Sequence, residues 1–143
     1  MGEDNLYPFV FGKNTENIYK VPDLATEVAW DFEKDIPIIE KNEYKYVTGD
    51  EAIKVWIYKT IKIARYRYEI FTSDYGTEID TLVGQKYTKG YTESQAMKYI
   101  KDALNINEYI TNINIIKASF IGDTLTAHIN VDTIYNKGVD FNV

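Results

Sequence analysis

The feature that most constrains this sequence is a two-residue alternation near its C-terminus. Apolar and polar residues alternate from position 124 to 131, and the apolar positions hold Leu125, Ala127, Ile129 and Val131. Successive side chains of a β-strand point to opposite faces, so the pattern predicts a strand with one buried and one solvated face. An Ile-rich stretch from 109 to 121 precedes it, with Gly122-Asp123 as the turn. We therefore predict a long antiparallel hairpin, followed by a short tail marked by Asn136-Lys137-Gly138.

Two upstream stretches have the periodicity of amphipathic helices, and each is preceded by four residues with the pattern of a capping box. The first box is Thr48-Gly49-Asp50-Glu51, and the apolar stripe after it is Ile53, Trp56, Ile57, Ile61 and Ala64. The second box is Thr92-Glu93-Ser94-Gln95, and its stripe is Ala96, Tyr99, Ile100, Ala103 and Leu104. We expect helices near 49–63 and 93–104.

The remaining elements are shorter. Val28, Trp30 and Phe32 alternate with polar residues, as in a half-buried strand, and residues 37–40 and 44–47 flank a hairpin turn. One helical turn is expected at Ile79–Val83. The predicted fold is α+β: a small, mainly antiparallel sheet, built from the Trp30 strand and the C-terminal hairpin, packs on two helices. The expected core is Trp56, Ile57, Ile61, Ile100, Leu104, Ile129 and Val131.

The N-terminal stretch has a different character. Residues 1–27 lack a sustained period, yet they hold a cluster of large apolar side chains between Leu6 and Phe11. So many apolar residues are unusual for a solvated tail, and we interpret the stretch as an extended arm. Residues 28–143 are predicted to form a single domain, since 143 residues match one ordinary domain.

Composition narrows the classes of partner. The 22 acidic and 16 basic residues give a net charge of −6, whereas nucleic-acid binding needs a concentrated basic surface. The absence of cysteine excludes disulfides and Cys-type zinc sites. No apolar run approaches the roughly 20 residues of a membrane span, and the N-terminus has acids where a signal peptide needs basic residues. We expect synthesis in the cytosol and neither nucleic acid nor membrane as a partner.

Catalytic constellations are scarce. The single histidine, His128, falls on the polar face of a predicted strand, where a lone His is a poor metal-ligand set. Asp74, Glu78 and Asp80 leave one route open, because a glycosidase needs two acids about 5–9 Å apart. An acid catalyst also needs a desolvated pocket that raises its pKa, and a turn of this composition does not indicate one. We predict a non-enzyme without cofactor or metal, and a glycosidase is the less favoured alternative from the residues alone.

An ordered set of short motifs from about residue 28 to 135 resembles a family of contractile-tail baseplate proteins. The set comprises Ala29-Trp30-Asp31-Phe32, Thr48-Gly49-Asp50-Glu51-Ala52-Ile53, Trp56-Ile57, Lys62-Ile63-Ala64-Arg65-Tyr66, Tyr68, Ser73-Asp74-Tyr75-Gly76-Thr77-Glu78 and Leu82-Val83-Gly84. Together they resemble the XkdS-like family of PBSX-type prophages. That family is in turn similar to the wedge protein that initiates the sheath in T4-type phages.

The resemblance implies a structural role in a phage tail or a phage-like particle such as a bacteriocin. In the family, six copies surround the tail tube within the baseplate wedges, and each offers a small sheet to which arms of sheath subunits add strands. The implied partners are the tail sheath protein, baseplate wedge proteins and the tail tube. The chain would be made in the bacterial cytoplasm and incorporated into the baseplate. A tail connector without sheath contact remains the alternative within this class. The wider family has also carried a lysozyme-like label, which makes a lysozyme-like peptidoglycan hydrolase the less favoured alternative.

The same resemblance suggests where partners bind. Residues near 110–121 and 124–134 would meet the sheath, unless both sheet edges are covered within the domain. The candidate residues there are Ile113, Ile115, Thr126 and His128. Arg65 matches an arginine of the family near the end of the first helix, where it would bind a partner's carboxylates or pair with Glu69. Phe9 and Phe11 are predicted to contact another wedge protein.

Overall fold

The computed structural model describes residues 23–63, 70 and 75–143. Its described helices are α1 (Asp50–Lys62), α2 (Lys89–Leu104) and a 3₁₀ helix (Ile79–Leu82). Its described strands are β1 (Thr26–Val28), β2 (Trp30–Asp31), β3 (Ile36–Pro37), β4 (Ile39–Glu40), β5 (Glu43–Tyr44), β6 (Tyr46–Thr48), β7 (Ile110–Ile121), β8 (Thr124–Thr133) and β9 (Val139–Asn142). The α+β class predicted from the sequence is confirmed.

The first six strands form three short antiparallel pairs before α1, namely β1 with β6, β2 with β3 and β4 with β5. The predicted hairpin after residue 37 is confirmed: Ile39 pairs with Tyr44, and Lys41 and Asn42 both take positive φ in its turn. Two consecutive left-handed residues match the twist of a tight hairpin. Strand β1 pairs with β6 from Thr26, opposite Thr48, to Val28, opposite Tyr46.

The prediction that the Trp30 strand joins the C-terminal hairpin is wrong. Trp30 pairs with Pro37 of β3, its neighbour along the chain. The Asp31 carboxylate accepts hydrogen bonds from the backbone N–H groups of Glu33 and Lys34, at 3.1 and 3.0 Å. This local bonding turns the chain directly after β2, because an Asp side chain can mimic a backbone turn. Short-range pairing therefore takes the place of the distant partner.

The first helix does not begin with the predicted capping box. Gly49 is the N-cap residue, with φ of 64°, and no side-chain cap bond is made there. The glycine permits a left-handed conformation that would strain another residue. The start of α1 is instead tied to the C-terminal sheet: the Asp50 carboxylate accepts hydrogen bonds from the Thr133 hydroxyl at 2.6 Å and from the Asn136 amide. A tertiary contact thus replaces the local one.

The second helix starts about one turn before its predicted position. Thr88 is the N-cap residue, and its hydroxyl oxygen accepts a hydrogen bond from the Tyr91 N–H at 3.4 Å. Thr92 lies inside the first turn and bonds back to the Thr88 carbonyl at 3.1 Å. The capping box predicted at Thr92 is therefore wrong. Glu93 is left to reach the C-terminal sheet, where its carboxylate accepts a hydrogen bond from the Phe120 N–H at 3.4 Å.

The predicted C-terminal hairpin is confirmed. Strands β7 and β8 pair from Ile121 with Thr124, next to the turn, to Ile110 with Thr133 at the base. The segment after Gly138, predicted to be a tail, is a third strand: β9 pairs antiparallel with β8. Val143 extends this pairing by exchanging two backbone hydrogen bonds with Ala127, at 2.8 and 2.9 Å. Strand β8 is therefore the centre of a three-stranded sheet in the order β7-β8-β9.

The core lies between this sheet and the two helices. Six of the seven residues predicted for it are buried: Ile57, Ile61, Ile100, Leu104, Ile129 and Val131. The prediction for Trp56 is wrong, because its indole is only partly buried against the core and contacts the ring of Tyr75 edge-on at 6.0 Å. The helical stripe of α1 is wide, and Ala52 and Ile53 take the more central positions.

Truncation of these two neighbours should have unequal effects on stability. Ile57→Ala is expected to lower the free energy of unfolding by about 2–5 kcal/mol, because its side chain is fully buried and its removal leaves a cavity. Trp56→Ala should cost less than Ile57→Ala, since part of its ring already contacts water. Chemical denaturation followed by circular dichroism measures both, and a larger loss for Trp56→Ala would contradict this assignment of the core.

Candidate partner-binding surface

The residues predicted to bind partners are not all on one surface. Phe9, Phe11 and Arg65 lie outside the described residues. Of the four on the hairpin, Ile113 is half-buried and packs on the core from the helix-facing side of the sheet. Thr126 is exposed and His128 half-exposed on the opposite, solvated side. Ile115 pairs with Asn130 of β8 next to a bulge.

The central position of β8 limits what Thr126 and His128 can do. His128 is opposite Lys117 of β7 on one side and opposite Asn142 of β9 on the other. Neither flank of the β8 backbone is therefore open to a further strand. A partner could meet Thr126 and His128 only through their side chains, on the solvated face of the sheet.

That solvated face carries a network of polar side chains across all three strands. We call it the polar ladder, and its members are Asn112, Asn114, His128, Asn130, Asp132 and Asp140. The Asn114 amide group donates to both Asn130 and Asp132 at 2.8 Å. The Asn130 amide donates to Asp140 at 2.8 Å, and His128 Nε2 lies 3.0 Å from the same carboxylate. The ladder thus links the edge strands β7 and β9 through the side chains of β8.

The ladder favours the charged form of its two acids. The Asn114 amide, followed by the Gly138 N–H, lowers the pKa of Asp132 below its usual value. The Asn130 amide, together with His128, lowers the pKa of Asp140. Hydrogen bonds donated to a carboxylate stabilise its ionised form. Both groups are solvent-exposed, so each bond contributes little by itself.

The outer edges of the sheet differ in their backbone groups. On β7 the Phe120 N–H points away from β8 toward Glu93, and the alternation of a strand gives Ile116 and Ala118 the same outward direction. On β9 the bonds between Val143 and Ala127 fix the alternation, so the backbone groups of Asp140 and Asn142 face outward. Within the described chain no strand pairs with either outer edge.

A group of charged and aromatic side chains joins α1 to the turn after β2. The Asp35 carboxylate accepts hydrogen bonds from Trp30 Nε1 at 3.0 Å and from the Tyr58 hydroxyl at 3.1 Å, and Lys62 forms an ion pair with it at 3.3 Å. The Trp30 N–H and then Lys62 and Tyr58 lower the pKa of Asp35. Burial opposes the charge of Lys62, but Tyr58 and Asp35 outweigh it and raise the pKa of Lys62.

A second exposed surface lies on the β4–β5 hairpin and the first residue of β6. Its large apolar side chains are 56% to 63% exposed, and we call them the hairpin patch: Ile39, Tyr44 and Tyr46. Surface apolar groups that cluster in this way mark interaction sites more often than scattered ones do. The sequence prediction missed this patch. The sequence contained a signal for this patch, because its three residues flank the predicted short hairpin turn. A hairpin that short cannot bury large apolar side chains by itself.

Two of the three acids considered for a glycosidase lie among the described residues. Glu78 is half-buried, Asp80 is exposed, and Asp74 lies outside the described residues. The described part of the chain contains no group of three or more His, Asp or Glu side chains placed to hold a metal ion. None of its helices is long and apolar enough to cross a membrane.

The polar ladder should make stability depend on acid. The folded pKa values of Asp132 and Asp140 are lower than in the unfolded chain, so their stabilisation is present at neutral pH and is lost as pH falls below about 4. The double variant Asp132→Asn and Asp140→Asn should therefore lose less melting temperature between pH 6 and pH 3 than the unmodified chain. Asp102→Asn, at an exposed acid of α2, is the control, and a ladder variant with the unmodified acid dependence would refute this role.

Comparison with known proteins assigns the family. Residues 26–136 match the family described as the contractile injection system sheath initiator. The chain is also similar to the phage-like element PBSX protein XkdS of Bacillus subtilis (strain 168), with 27% identity over 88 residues. That alignment covers 61% of this chain and 62% of the relative, which is less than two-thirds of the relative's length. The resemblance inferred from the sequence is confirmed, and the chain belongs to the contractile injection system sheath initiator family.

Proposed function

We propose that this chain nucleates the sheath of a contractile tail by accepting β-strands from sheath subunits and linking them to the baseplate wedge. The observation that carries the proposal is the three-stranded C-terminal sheet, whose two outer edges pair with no other strand within the described chain. An open strand edge presents a row of backbone donors and acceptors. A strand that adds there gains affinity from main-chain hydrogen bonds and specificity from alternate side chains.

The C-terminal sheet is well suited to accept an added strand. Its central strand is bonded on both sides, its inner face packs on both helices, and Asp50 ties the start of α1 to Thr133. Strand addition costs less conformational entropy when the accepting sheet is already ordered, because the sheet itself then loses little freedom on binding. The fold therefore offers a preformed template from which a sheath ring can take its register.

The link to the wedge is proposed to use a different face. The hairpin patch of Ile39, Tyr44 and Tyr46 lies on β4, β5 and β6, whose strand pairs are separate from the C-terminal sheet. Tyrosine supplies large contact area with a polar tip, which suits a protein interface. The predicted contacts of Phe9, Phe11 and Arg65 would add to this link. Six copies around the tail tube, made in the bacterial cytoplasm and incorporated into the baseplate, complete the proposal.

An enzymatic role is not favoured. The family is a structural one, and of the acids considered for catalysis Asp80 is exposed and Glu78 is half-buried. Raising the pKa of an acid catalyst requires a desolvated pocket.

Separate faces for sheath and wedge can be tested by a paired pull-down. The unmodified chain should retain both the sheath subunit and the wedge proteins encoded in its gene cluster. Tyr44→Asp should reduce wedge retention about tenfold or more, since a buried charge without a partner weakens an interface strongly, and should leave sheath retention unchanged. Glu43→Gln, at the neighbouring exposed position, is the matched control.

Two results would count against the proposal. Failure of the unmodified chain to retain the sheath subunit would remove sheath nucleation. Equal retention of both partners by Tyr44→Asp and Glu43→Gln would remove the hairpin patch from the wedge contact.

A further inference from the structure

The two open edges of the C-terminal sheet are not equivalent, and their differences indicate which one accepts a strand. This inference rests on the proposed function, because it concerns where the added strand binds. Both edges belong to the same sheet, so the comparison depends on local features: regularity of the strand, side chains at the edge and the surface beside it.

The β7 edge carries features that discourage pairing. Its register with β8 shifts twice, between Ile110 and Asn112 and again between Ile113 and Ile115. Such bulges bend and twist a strand and so disturb the regular spacing that a new partner needs. Near the turn, the outward Phe120 N–H is already bonded to the Glu93 carboxylate. Bulges and charged groups at an edge are devices by which proteins prevent strand addition.

The β9 edge has neither a bulge nor an outward N–H that is bonded within the described chain, and its one charged side chain, Asp140, lies on the solvated face. Its four pairs with β8 run without a register shift, from His128 with Asn142 to Val131 with Val139. The backbone groups of Asp140 and Asn142 face outward, and the described chain supplies them no backbone partner. The side chains of these two residues are exposed on the solvated face. Backbone donors and acceptors are thus presented at regular spacing.

An apolar groove lies directly beside β9. Two adjoining pockets, of about 500 and about 270 Å³, share Phe32, Tyr58 and Val143 in their walls. The larger also contacts Ile61 and Leu125, and the smaller reaches Phe141. The Phe32 ring is 45% exposed and meets the Tyr58 ring edge-on at 4.8 Å. Aromatic and aliphatic side chains thus line much of the groove, and charged side chains such as Glu51, Lys54 and Lys62 line the rest of it.

The walls of this groove are held in place by polar bonds. On the helix side, Tyr58 bonds to Asp35 at 3.1 Å and to the Phe32 carbonyl at 3.3 Å, and its hydroxyl also accepts a hydrogen bond from Lys62. At the other end, the Asp50 carboxylate binds the Asn136 amide in the turn that leads into β9. Helix α1 and β9 are thus fixed relative to each other, and the groove between them is preformed.

We propose that the outer edge of β9, with the groove between β9 and α1, is the strand acceptor. The occupant is an extended segment of the sheath subunit with apolar side chains at alternate positions. Its backbone pairs with Asp140 and Asn142. Its side chains on one face, about 7 Å apart, enter the groove against Phe32, Tyr58 and Val143, and those on the other face continue the solvated side of the sheet. The backbone edge requires the partner segment to be extended, and the groove requires apolar side chains at alternate positions of that segment.

Site-specific crosslinking tests the location, since the chain contains no cysteine that would compete for the label. Asn142→Cys places a photo-crosslinker on β9, and Lys117→Cys places it at an exposed position of β7 as the matched control. With the sheath subunit bound, the probe on β9 should crosslink to an extended sheath segment identified by mass spectrometry, at least about fivefold more than the probe on β7. Crosslinks mainly from β7 would overturn the inference. So would crosslinks from β9 to residues 1–22 of the same chain or to a second copy.

A backbone substitution tests the mechanism. Asn142→Pro removes the outward N–H and leaves the bonds of Phe141 and Val143 to β8 in place. It should weaken sheath binding about tenfold, whereas Asn142→Ala, which keeps the N–H, should remain within about twofold of the unmodified chain. Phe32→Ala should weaken binding without unfolding the domain, because its ring is exposed.

The outcomes separate this inference from the proposed function. Circular dichroism must show that each variant is folded. If the unmodified chain retains sheath but Asn142→Pro and Phe32→Ala bind as well as Asn142→Ala, sheath nucleation stands and the β9 acceptor is wrong. If the unmodified chain does not retain the sheath subunit, the proposed function fails and the acceptor fails with it.

Discussion

The arrangement of this domain depends on the burial of one face of β8. Ala127, Ile129 and Val131 are at most 1% exposed, and they bring both helices onto the same side of the sheet. Because side chains alternate along a strand, a slip of one residue would turn these three to solvent and bury the polar ladder. Burial therefore fixes the register of β7 and β9 on either side of β8. It also determines which backbone groups face outward at the edges.

Polar contacts then set the relation between the sheet and the rest of the chain. Asp50 binds Thr133 and Asn136 at one end of α1, and the cluster around Asp35 holds Tyr58 and Lys62 at the other. These bonds keep α1 at the distance from β9 that leaves a groove open. Helix α1 also packs on β1 and β6. It therefore contacts both the sheet proposed to bind the sheath and the strand that begins with Tyr46 of the hairpin patch.

The sequence predicted those parts of the fold in which the local pattern and tertiary burial agree. The alternation in β8 and the stripes around Ile57 and Ile100 gave the class, the hairpin and most of the core. Local patterns gave wrong predictions where other residues took over the predicted role. Gly49 and Thr88 are the N-cap residues in place of the predicted ones, and Trp30 pairs with the neighbouring strand β3 and not with the distant hairpin. Strand β9 was missed because the five residues after the turn are too few to show a clear alternation of apolar and polar side chains. The position of the groove was not accessible from sequence, since it arises from the packing of α1 beside β9.

The most specific feature proposed for this molecule is that an added strand pairs with the outer edge of β9. Amide hydrogen exchange measured residue by residue, with and without bound sheath subunit, tests it most directly. The N–H groups of Asp140 and Asn142 face solvent in the free chain and should become strongly protected on binding, while the outward N–H groups of Ile116 and Ala118 on β7 stay unchanged. Protection that develops on β7 while Asp140 and Asn142 continue to exchange freely would contradict the claim.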